Sequence, residues 1–327
     1  MIMADLPLTL ACWNYDRTRP LIDGRVKPDG IELDIKVMRP REAFPRMLEK
    51  REFQVSEMSL ASYVSLKGKG DCPFVAIPVT LSKIFRHDSI YVRPGANIRT
   101  PKDLKGKRVG TTQYGSTGLV FIKGMLQHDH GVAASDIHWF IGGLNAPTQR
   151  PLLPLNLPAE IKIDFLPDGK TLEGMMAADE LDALFSLYIP ESFERGAPHI
   201  ARLFANHKEI EQDYYRRTGI FPIMHTVVIR EDVHARLPWV AKSLYQAFCA
   251  ARDIAVHGLY DTDALHLSLP FLIDHVEETR RVFGKDFWTY GVEPNRPALE
   301  AIGRYVHEQY LSPRQVAPEE LFVPGLL

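Results

Sequence analysis

The chain has 327 residues and a mass of 37.1 kDa, which is long for one hydrophobic core and sufficient for two domains. Apolar residues make up 45% of it, charged residues 24%, and the formal net charge is −2. These values are ordinary for a globular protein. They give no electrostatic reason to expect a nucleic-acid partner or an acidic membrane surface.

Cysteine usage and the first residues predict the compartment. Cys12, Cys72 and Cys249 are widely spaced and form no CxxC or zinc pattern, so we expect reduced thiols with buried, structural roles. Residues 1–11 carry an aspartate, no lysine or arginine, and too short an apolar run for an export signal. The sequence therefore predicts a cytoplasmic protein without a membrane span.

Predicted strands and helices alternate in the first part of the chain. Strands are expected at residues 8–12, 31–37, 55–58, 74–79 and 89–92. A helix is expected at 41–51, with Pro45 in its first turn, and another begins after Ser59, a favourable N-cap residue. The Pro-Gly-Ala-Asn run at 94–97 then interrupts the pattern.

The alternation restarts after this interruption. Further strands are expected at 108–112, 137–141, 160–165, 181–187 and 224–229. Helices are expected at 117–130, 171–179, 207–217, 238–257, 262–271, 274–283 and 297–310. Residues 145–158 are rich in proline and leucine and are predicted to form a loop or lid.

This order of elements predicts an α/β protein with parallel sheets in two domains. The second series lies inside the first, so the chain should cross between the domains twice, near 94–101 and near 221–225. We therefore expect a first domain made of residues 1–96 and 225–327, with residues 97–224 inserted as the second domain.

A Gly/Ser/Thr turn at residues 110–117 predicts a binding site for a small anion. It follows a predicted strand and opens a helix, where free backbone N–H groups and the helix dipole favour negative charge. A nucleotide-binding P-loop is rejected because Ser116 stands where that motif needs lysine. The anion would meet Gln113, Tyr114, Ser116 and Thr117.

Four segments together resemble the 4,5-dihydroxyphthalate decarboxylase family. They are Phe-Arg-His-Asp-Ser-Ile-Tyr-Val at 85–92, Thr-Pro-Lys-Asp-Leu-Lys-Gly-Lys-Arg-Val-Gly at 100–110, Asp-Ala-Leu at 182–184 and Trp-Thr-Tyr-Gly-Val-Glu-Pro-Asn-Arg at 288–296. The segment 100–110 alone is shared with type II periplasmic binding proteins generally. The resemblance runs from about residue 8 to the end, and the Pro/Leu stretch at 152–158 is less typical of the family.

The resemblance implies a two-domain type II periplasmic-binding-protein-like fold, with an interdomain cleft and a helical C-terminal region. It implies an intracellular enzyme of aromatic catabolism that removes CO2 from 4,5-dihydroxyphthalate to give protocatechuate. The partner would be a small aromatic dicarboxylate, with no nucleic acid and no membrane, and a homo-oligomer is compatible with the sequence. No motif for flavin, pyridoxal phosphate or thiamine is present, so no cofactor is predicted.

The implied reaction defines what the site must contain. Direct loss of CO2 would leave an aryl carbanion, whereas protonation of the ipso carbon, driven by an ionised para-hydroxyl, avoids that species. A proton donor is therefore required, and His87 or His225 suits this role near neutral pH. Glu57, near the end of a buried strand, is the next candidate and would need a raised pKa to act as an acid.

Binding of the carboxylates requires cations or N–H groups. Arg86 precedes a predicted strand and Arg150 lies in the Pro/Leu-rich loop, so each is a candidate carboxylate clamp. Tyr15, Asp16 and Arg17 follow the first strand and are expected to line the cleft. Asn295 and Arg296 belong to the family pattern, but capping of the last helix is the favoured explanation for them.

Three alternatives remain open at this stage. His87, His225, Glu57 and Asp16 could converge on a divalent metal, because catechol oxygens chelate metals, although no metal-binding motif is present. The fold also suits a non-catalytic binding protein for an aromatic acid or another small anionic metabolite. An enzyme acting on a phthalate without ring hydroxyls would need a different mechanism.

Overall fold

The computed structural model describes residues 5–146 and 153–326. The strands of this part of the chain are β1 (Leu6–Cys12), β2 (Ile31–Val37), β3 (Val55–Ser59), β4 (Phe74–Lys83), β5 (Ile90–Val92), β6 (Arg108–Thr111), β7 (His138–Ile141), β8 (Ile163–Phe165), β9 (Ala183–Phe185), β10 (Ala201–Arg202) and β11 (Ile223–Arg230). The helices are α1 (Arg19–Ile22), α2 (Pro40–Lys50), α3 (Leu60–Lys69), α4 (Thr117–His130), α5 (Leu172–Ala177), α6 (Glu191–Glu194), α7 (His207–Thr218), α8 (Glu231–Arg236), α9 (Trp239–Gly258), α10 (Leu272–Phe283), α11 (Arg296–Glu308) and α12 (Pro318–Leu321).

The first sheet has the strand order β2-β1-β3-β11-β4. β1 runs parallel to β2 and β3, whereas β11 runs antiparallel to its neighbours β3 and β4. The prediction of purely parallel sheets was therefore wrong for β11, because this strand returns from the second sheet and enters the first from its opposite end. This return places His225 beside Ser59 in the sheet register.

The second sheet has the order β10-β5-β9-β6-β7-β8, and β9, β6, β7 and β8 are parallel. β5 pairs antiparallel with β9, with Ile90 opposite Phe185. The chain thus leaves the first sheet between Lys83 and Ile90, earlier than the expected crossing near 94–101. The apolar run at 89–92 reads equally well as a strand of either sheet, so its pattern could not decide between them.

Two details of the helices differ from the sequence predictions. Residues 262–271 form no helix; Leu265, Leu267 and Leu269 recur at a spacing of two and are exposed. Leu265 and Leu269 are four residues apart, as one face of a helix requires, but both are exposed, so no packing against the core stabilises a helix here. Pro45 lies inside α2 rather than in its first turn, because the helix already begins at Pro40.

The C-terminal helices connect the two parts of the fold. Gly124 of α4 packs so closely on α11 that a Cβ there would lie 2.2 Å from the ring of Tyr305. The Gln309 side chain, just after α11, donates to the Val120 carbonyl of α4 at 2.9 Å. α11 also packs on α3, so it contacts helices that follow strands of both sheets. Within the described residues, no helix is both long and apolar enough to cross a membrane.

Candidate active site

The centre of the candidate site is the fully buried carboxylate of Glu57 on β3. Its Oε1 accepts a hydrogen bond from the Tyr15 hydroxyl at 2.6 Å and lies 2.6 Å from His225 Nδ1. Its Oε2 accepts the Trp13 backbone N–H at 3.0 Å. The first sheet creates this arrangement because β3 lies between β1, which leads into Trp13 and Tyr15, and β11, which carries His225.

Glu57 is ionised in this environment. Burial raises the pKa of its carboxyl, but the contacts with His225, Tyr15 and the Trp13 N–H outweigh burial and hold the pKa below its ordinary value. Burial and the Glu57 charge raise the pKa of the Tyr15 hydroxyl, so Tyr15 remains a neutral donor. Glu57 is therefore an acceptor in the folded protein rather than the acid that a raised pKa would have made it.

The Glu57 carboxylate also fixes the tautomer of His225. An ionised acceptor at 2.6 Å requires a proton on Nδ1, which leaves Nε2 as the ring nitrogen free to exchange a proton. Within the described part of the chain Nε2 has no hydrogen-bond partner, and the side chain is 19% exposed. The ring edge packs against Phe44, with ring centroids 5.0 Å apart. The pair is thus a histidine oriented by a buried carboxylate.

Arg17 adds a positive charge beside this pair. Its guanidinium packs against two rings, with the central carbon 4.2 Å from the Tyr15 centroid and 4.3 Å from the Trp288 centroid. Nε donates to the Leu81 carbonyl at 2.6 Å, and Nη1 donates to Asp16 at 2.9 Å. Asp16 is therefore engaged with Arg17.

Arg86 provides a second cation, at the N-terminus of α4. A Cβ on Gly118 would lie 3.3 Å from Arg86 Nε and 2.5 Å from a methyl of Leu187, so the absent side chain makes room for both. Nε is buried and has no hydrogen-bond partner among the described residues. Burial lowers the pKa of this guanidinium, and the charges of Asp88 and Glu211 act in the opposite direction.

The side chains of the turn before α4 are arranged differently from those expected of a simple anion-binding turn. The Ser116 hydroxyl donates back to the Gln113 carbonyl at 3.1 Å and does not cap the helix. The Tyr114 ring is buried against Trp139, with its hydroxyl unpaired within the described residues. Of the four predicted residues, the structure thus places Tyr114 in the core and leaves Gln113 and Ser116 partly accessible.

Thr117 joins the two sheets. Its Oγ1 lies 2.9 Å from Ser59 Oγ and accepts the Ala61 backbone N–H at 3.1 Å. Ser59 follows Glu57 by two residues and lies opposite His225 in the register, while Thr117 directly precedes Gly118. This interdomain contact therefore links the strand that carries Glu57 to the N-terminus of α4, beside which Arg86 lies. The sequence identified Ser59 only as a helix cap, and its position two residues after Glu57 was the available signal.

The other predicted residues lie elsewhere. His87 is buried between Phe204 and Tyr214, and its Nδ1 lies 3.7 Å from Glu211 Oε1. None of its contacts is with Tyr15 or the Glu57–His225 pair. Arg150 lies outside the described residues. Within residues 5–146 and 153–326, no group of three or more His, Cys, Asp or Glu side chains is arranged to hold a metal ion.

Two facing α/β units with a polar site between them define a periplasmic-binding-protein-like fold, and solved structures agree. The periplasmic aliphatic sulphonate binding protein SsuA from Escherichia coli superposes with a TM-score of 0.54 at 14% identity, covering 98% of each chain. The desulfurization enzyme DSZB superposes with a TM-score of 0.51 at 15% identity, covering 97% of this chain and 96% of that chain. The predicted fold is confirmed, and it accommodates both binding proteins and enzymes.

Sequence relatives identify the family. The 4,5-dihydroxyphthalate decarboxylase of Comamonas testosteroni is 37% identical over 325 residues, covering 99% of this chain and 98% of that protein. The enzyme of the same name from Pseudomonas putida is 38% identical over 216 residues, covering 66% of this chain and 84% of that one. The family model described as NMT1/THI5 like matches residues 27–147. The chain belongs to the 4,5-dihydroxyphthalate decarboxylase family, which confirms the resemblance seen in its sequence.

Proposed function

We propose that this protein is a carboxy-lyase that converts 4,5-dihydroxyphthalate into protocatechuate and CO2, with the chemistry at the Glu57–His225 pair. The observation that carries the mechanism is the 2.6 Å contact between the buried Glu57 carboxylate and His225 Nδ1, which leaves Nε2 free. The names of the two decarboxylase relatives support the substrate.

His225 is the proposed proton donor. In the imidazolium form, Nε2–H delivers a proton to the ring carbon that bears the leaving carboxylate, while Glu57 stabilises the charge and keeps Nδ1 protonated. The Tyr15 hydroxyl donates to the same Glu57 oxygen as His225, and the Trp13 N–H holds the other oxygen, so the carboxylate is kept facing the histidine. The partly exposed ring regains its proton from solvent after each turnover.

The proposed reaction balances with one proton and no external electron donor or acceptor. Protonation of the ipso carbon interrupts the aromatic ring and is assisted by electrons from the ionised hydroxyl para to it. The bond to the carboxylate then breaks, CO2 leaves, and the bonding pair restores the ring as protocatechuate. The retained carboxylate is held throughout by cationic and N–H donors.

Arg17 and Arg86 are the proposed carboxylate-binding residues. Arg17 is already held by two aromatic faces and the Leu81 carbonyl, so little side-chain freedom is lost when it binds an anion. Arg86 has an unpaired Nε beside the positive end of α4. Two separate cations suit a substrate with two adjacent carboxylates.

Turnover in D2O tests the proposal. Purified protein is incubated with 4,5-dihydroxyphthalate, CO2 release is followed, and protocatechuate is analysed by mass spectrometry and NMR. We expect a single deuterium at the former carboxylate carbon and loss of turnover in His225→Asn. Phthalate is the control substrate, since it lacks the hydroxyl that assists protonation and should not react.

The same experiment addresses the alternatives. Tight binding of 4,5-dihydroxyphthalate without CO2 release would indicate a non-catalytic binding protein. Turnover of phthalate at a comparable rate would contradict the role given to the para-hydroxyl.

A further inference from the structure

Lys83 is a buried lysine at the end of β4 that the proposed chemistry does not use. Only 6% of it is exposed, and its Nζ donates to three oxygens. These are Asn295 Oδ1 at 2.6 Å, the Thr289 carbonyl at 2.8 Å and Thr289 Oγ1 at 3.2 Å. A buried ammonium usually pairs with a carboxylate, but here neutral oxygens of a single loop surround it.

The loop that Lys83 holds is tied to β4 at several points. The Asn295 amide donates to the carbonyls of Thr289 and Gly291 at 3.2 and 2.8 Å. The Thr80 hydroxyl donates to the same Thr289 carbonyl at 2.9 Å. The neutral Thr80 hydroxyl thus already binds the Thr289 carbonyl. Attachment of the loop to β4 does not by itself explain why a charged lysine is buried at this position.

Trp288 directly precedes Thr289, the residue that Lys83 binds, and its ring forms one wall of the slot that contains Arg17. The central carbon of the Arg17 guanidinium lies 4.3 Å from the Trp288 ring and 4.2 Å from the Tyr15 ring, and these two rings form the slot. Lys83 itself lies 5.9 Å from the Trp288 ring. A continuous set of contacts thus runs from the Lys83 ammonium through the loop to the proposed carboxylate-binding cation.

We infer that Lys83 is a positioning residue, which fixes Trp288 against Arg17 so that the guanidinium is presented to a carboxylate of the substrate. This inference rests on the proposed function, because it assigns Arg17 to substrate binding. Lys83 does not touch the substrate. Its removal should widen the slot and weaken anion binding, while the Glu57–His225 pair stays intact.

A cavity of about 220 Å³ adjoins Lys83 and lets its ammonium exchange protons with water. Burial lowers the pKa of Lys83 to about 7, Asp286 opposes this shift, and Arg252 and Arg17 add to it. Tyr215 of α7 also lines the cavity. Since the charged form of a lysine is lost as pH rises through its pKa, the slot should loosen at alkaline pH.

A double-mutant cycle between Lys83 and Arg17 tests the inference. The measured quantity is the Kd for phthalate by titration calorimetry, which needs no turnover and therefore stays informative even if decarboxylation fails. We expect Lys83→Met to raise Kd about ten-fold in the natural background, but less than about two-fold when Arg17→Gln is also present. Equal factors in both backgrounds, or no effect in the natural one, would overturn the inference.

With 4,5-dihydroxyphthalate, Lys83→Met should raise KM while kcat changes less than about three-fold. A large fall in kcat at unchanged KM would overturn the positioning role. Tyr290→Phe is the matched control from the same loop, because the Tyr290 hydroxyl has no partner among the described residues. It should leave both constants unchanged; a loss equal to that of Lys83→Met would show general sensitivity of the loop and overturn the inference.

A pH profile keeps the inference testable if Lys83→Met does not fold. Between about pH 6 and pH 9 the Kd for phthalate should weaken in the natural protein and stay flatter in Lys83→Arg, which retains its charge. The adjoining cavity gives the longer side chain room. Identical pH profiles in the two proteins would overturn the role of the Lys83 charge.

Discussion

Ser59 and Thr117 join the two halves of the site through hydroxyl oxygens 2.9 Å apart, and both residues are buried. One residue ends β3, which carries Glu57, and the other begins α4, which Arg86 contacts. The contact sets the position of β3 relative to α4, and under the proposed function this position must match a rigid dicarboxylate.

Thr117→Val should destabilise the protein, because it leaves the Ala61 N–H and the Ser59 hydroxyl without their partner. The expected loss is about 1–3 kcal/mol in the free energy of unfolding, measured by denaturant titration. Thr226→Val is the matched control, since that buried hydroxyl makes only a 3.3 Å bond. Equal losses in the two variants would contradict a special role for the interdomain contact.

His225→Asn should lower kcat by at least about 100-fold in a protein that remains folded, as expected for removal of a general acid. His87→Asn provides the contrast, because His87 is packed against Phe204 and Tyr214 and contacts no member of the Glu57 network. It should mainly reduce stability. Single-turnover kinetics and circular dichroism separate the two effects, and the reverse ranking would place the proton donor at His87.

Arg86→Gln should raise KM about ten-fold or more, since a charge-assisted contact contributes about 1.5–3 kcal/mol. The physical basis is the buried Nε beside α4, which has no partner among the described residues. Arg150→Gln should be measured alongside it, because the sequence makes that residue an equal candidate. Unchanged steady-state constants in both variants would exclude the clamp.

Removal of divalent metals should leave decarboxylation unchanged. Glu57 and His225 are two of the four residues that the sequence offered as metal ligands. They are hydrogen-bonded to each other, so Glu57 Oε1 and His225 Nδ1 are already engaged. The check is activity after treatment with a chelator and gel filtration, with Mg²⁺, Mn²⁺ or Zn²⁺ added back. Loss of turnover that one ion restores would instead make His225 a metal ligand.

Asp182 should make stability depend on pH in acid. Although partial burial raises its pKa, bonds from Arg108 and Arg93 outweigh this effect and lower it from 3.8 to about 2. The carboxylate therefore stabilises the fold above about pH 4, and this contribution disappears as pH falls through about 2. Asp182→Asn should cost about 1–2 kcal/mol at neutral pH after allowance for solvent screening, and nothing at the acid end. A constant difference across the titration would contradict this linkage.

Local sequence patterns predicted much of the fold. The strand 31–37 and the helix 117–130, closed by Gly131 at φ +66°, have the predicted bounds. The alternation of apolar and polar residues in a strand and the glycine that ends a helix involve only residues close in sequence. They can therefore be recognised without knowing the tertiary structure. The sheet that β5 joins depends on its pairing with β9, which lies about 90 residues further along the chain.

In the candidate site, too, the sequence predicted features set by neighbouring residues but not those set by long-range pairing. Glu57, Tyr15 and His225 were each singled out from their positions near strand ends, but the sequence brought Glu57 and His225 together only as possible metal ligands and did not predict their direct contact. Their contact depends on β11 lying directly beside β3, a long-range and antiparallel pairing. The sequence also left His87 and His225 equivalent, because both flank strands, and only packing separates the buried ring from the partly exposed one.

The central position of β11 has a consequence for biosynthesis. This strand separates β3 from β4, yet residues 223–230 leave the ribosome only after every strand of the second sheet. Until then the first sheet is split, and the Glu57 carboxylate lacks the histidine that accompanies it in the finished protein. The first sheet therefore cannot be completed before β11 has been synthesised. The Glu57–His225 contact therefore forms only after β11 has been synthesised, and a nascent or truncated chain that ends before β11 lacks it.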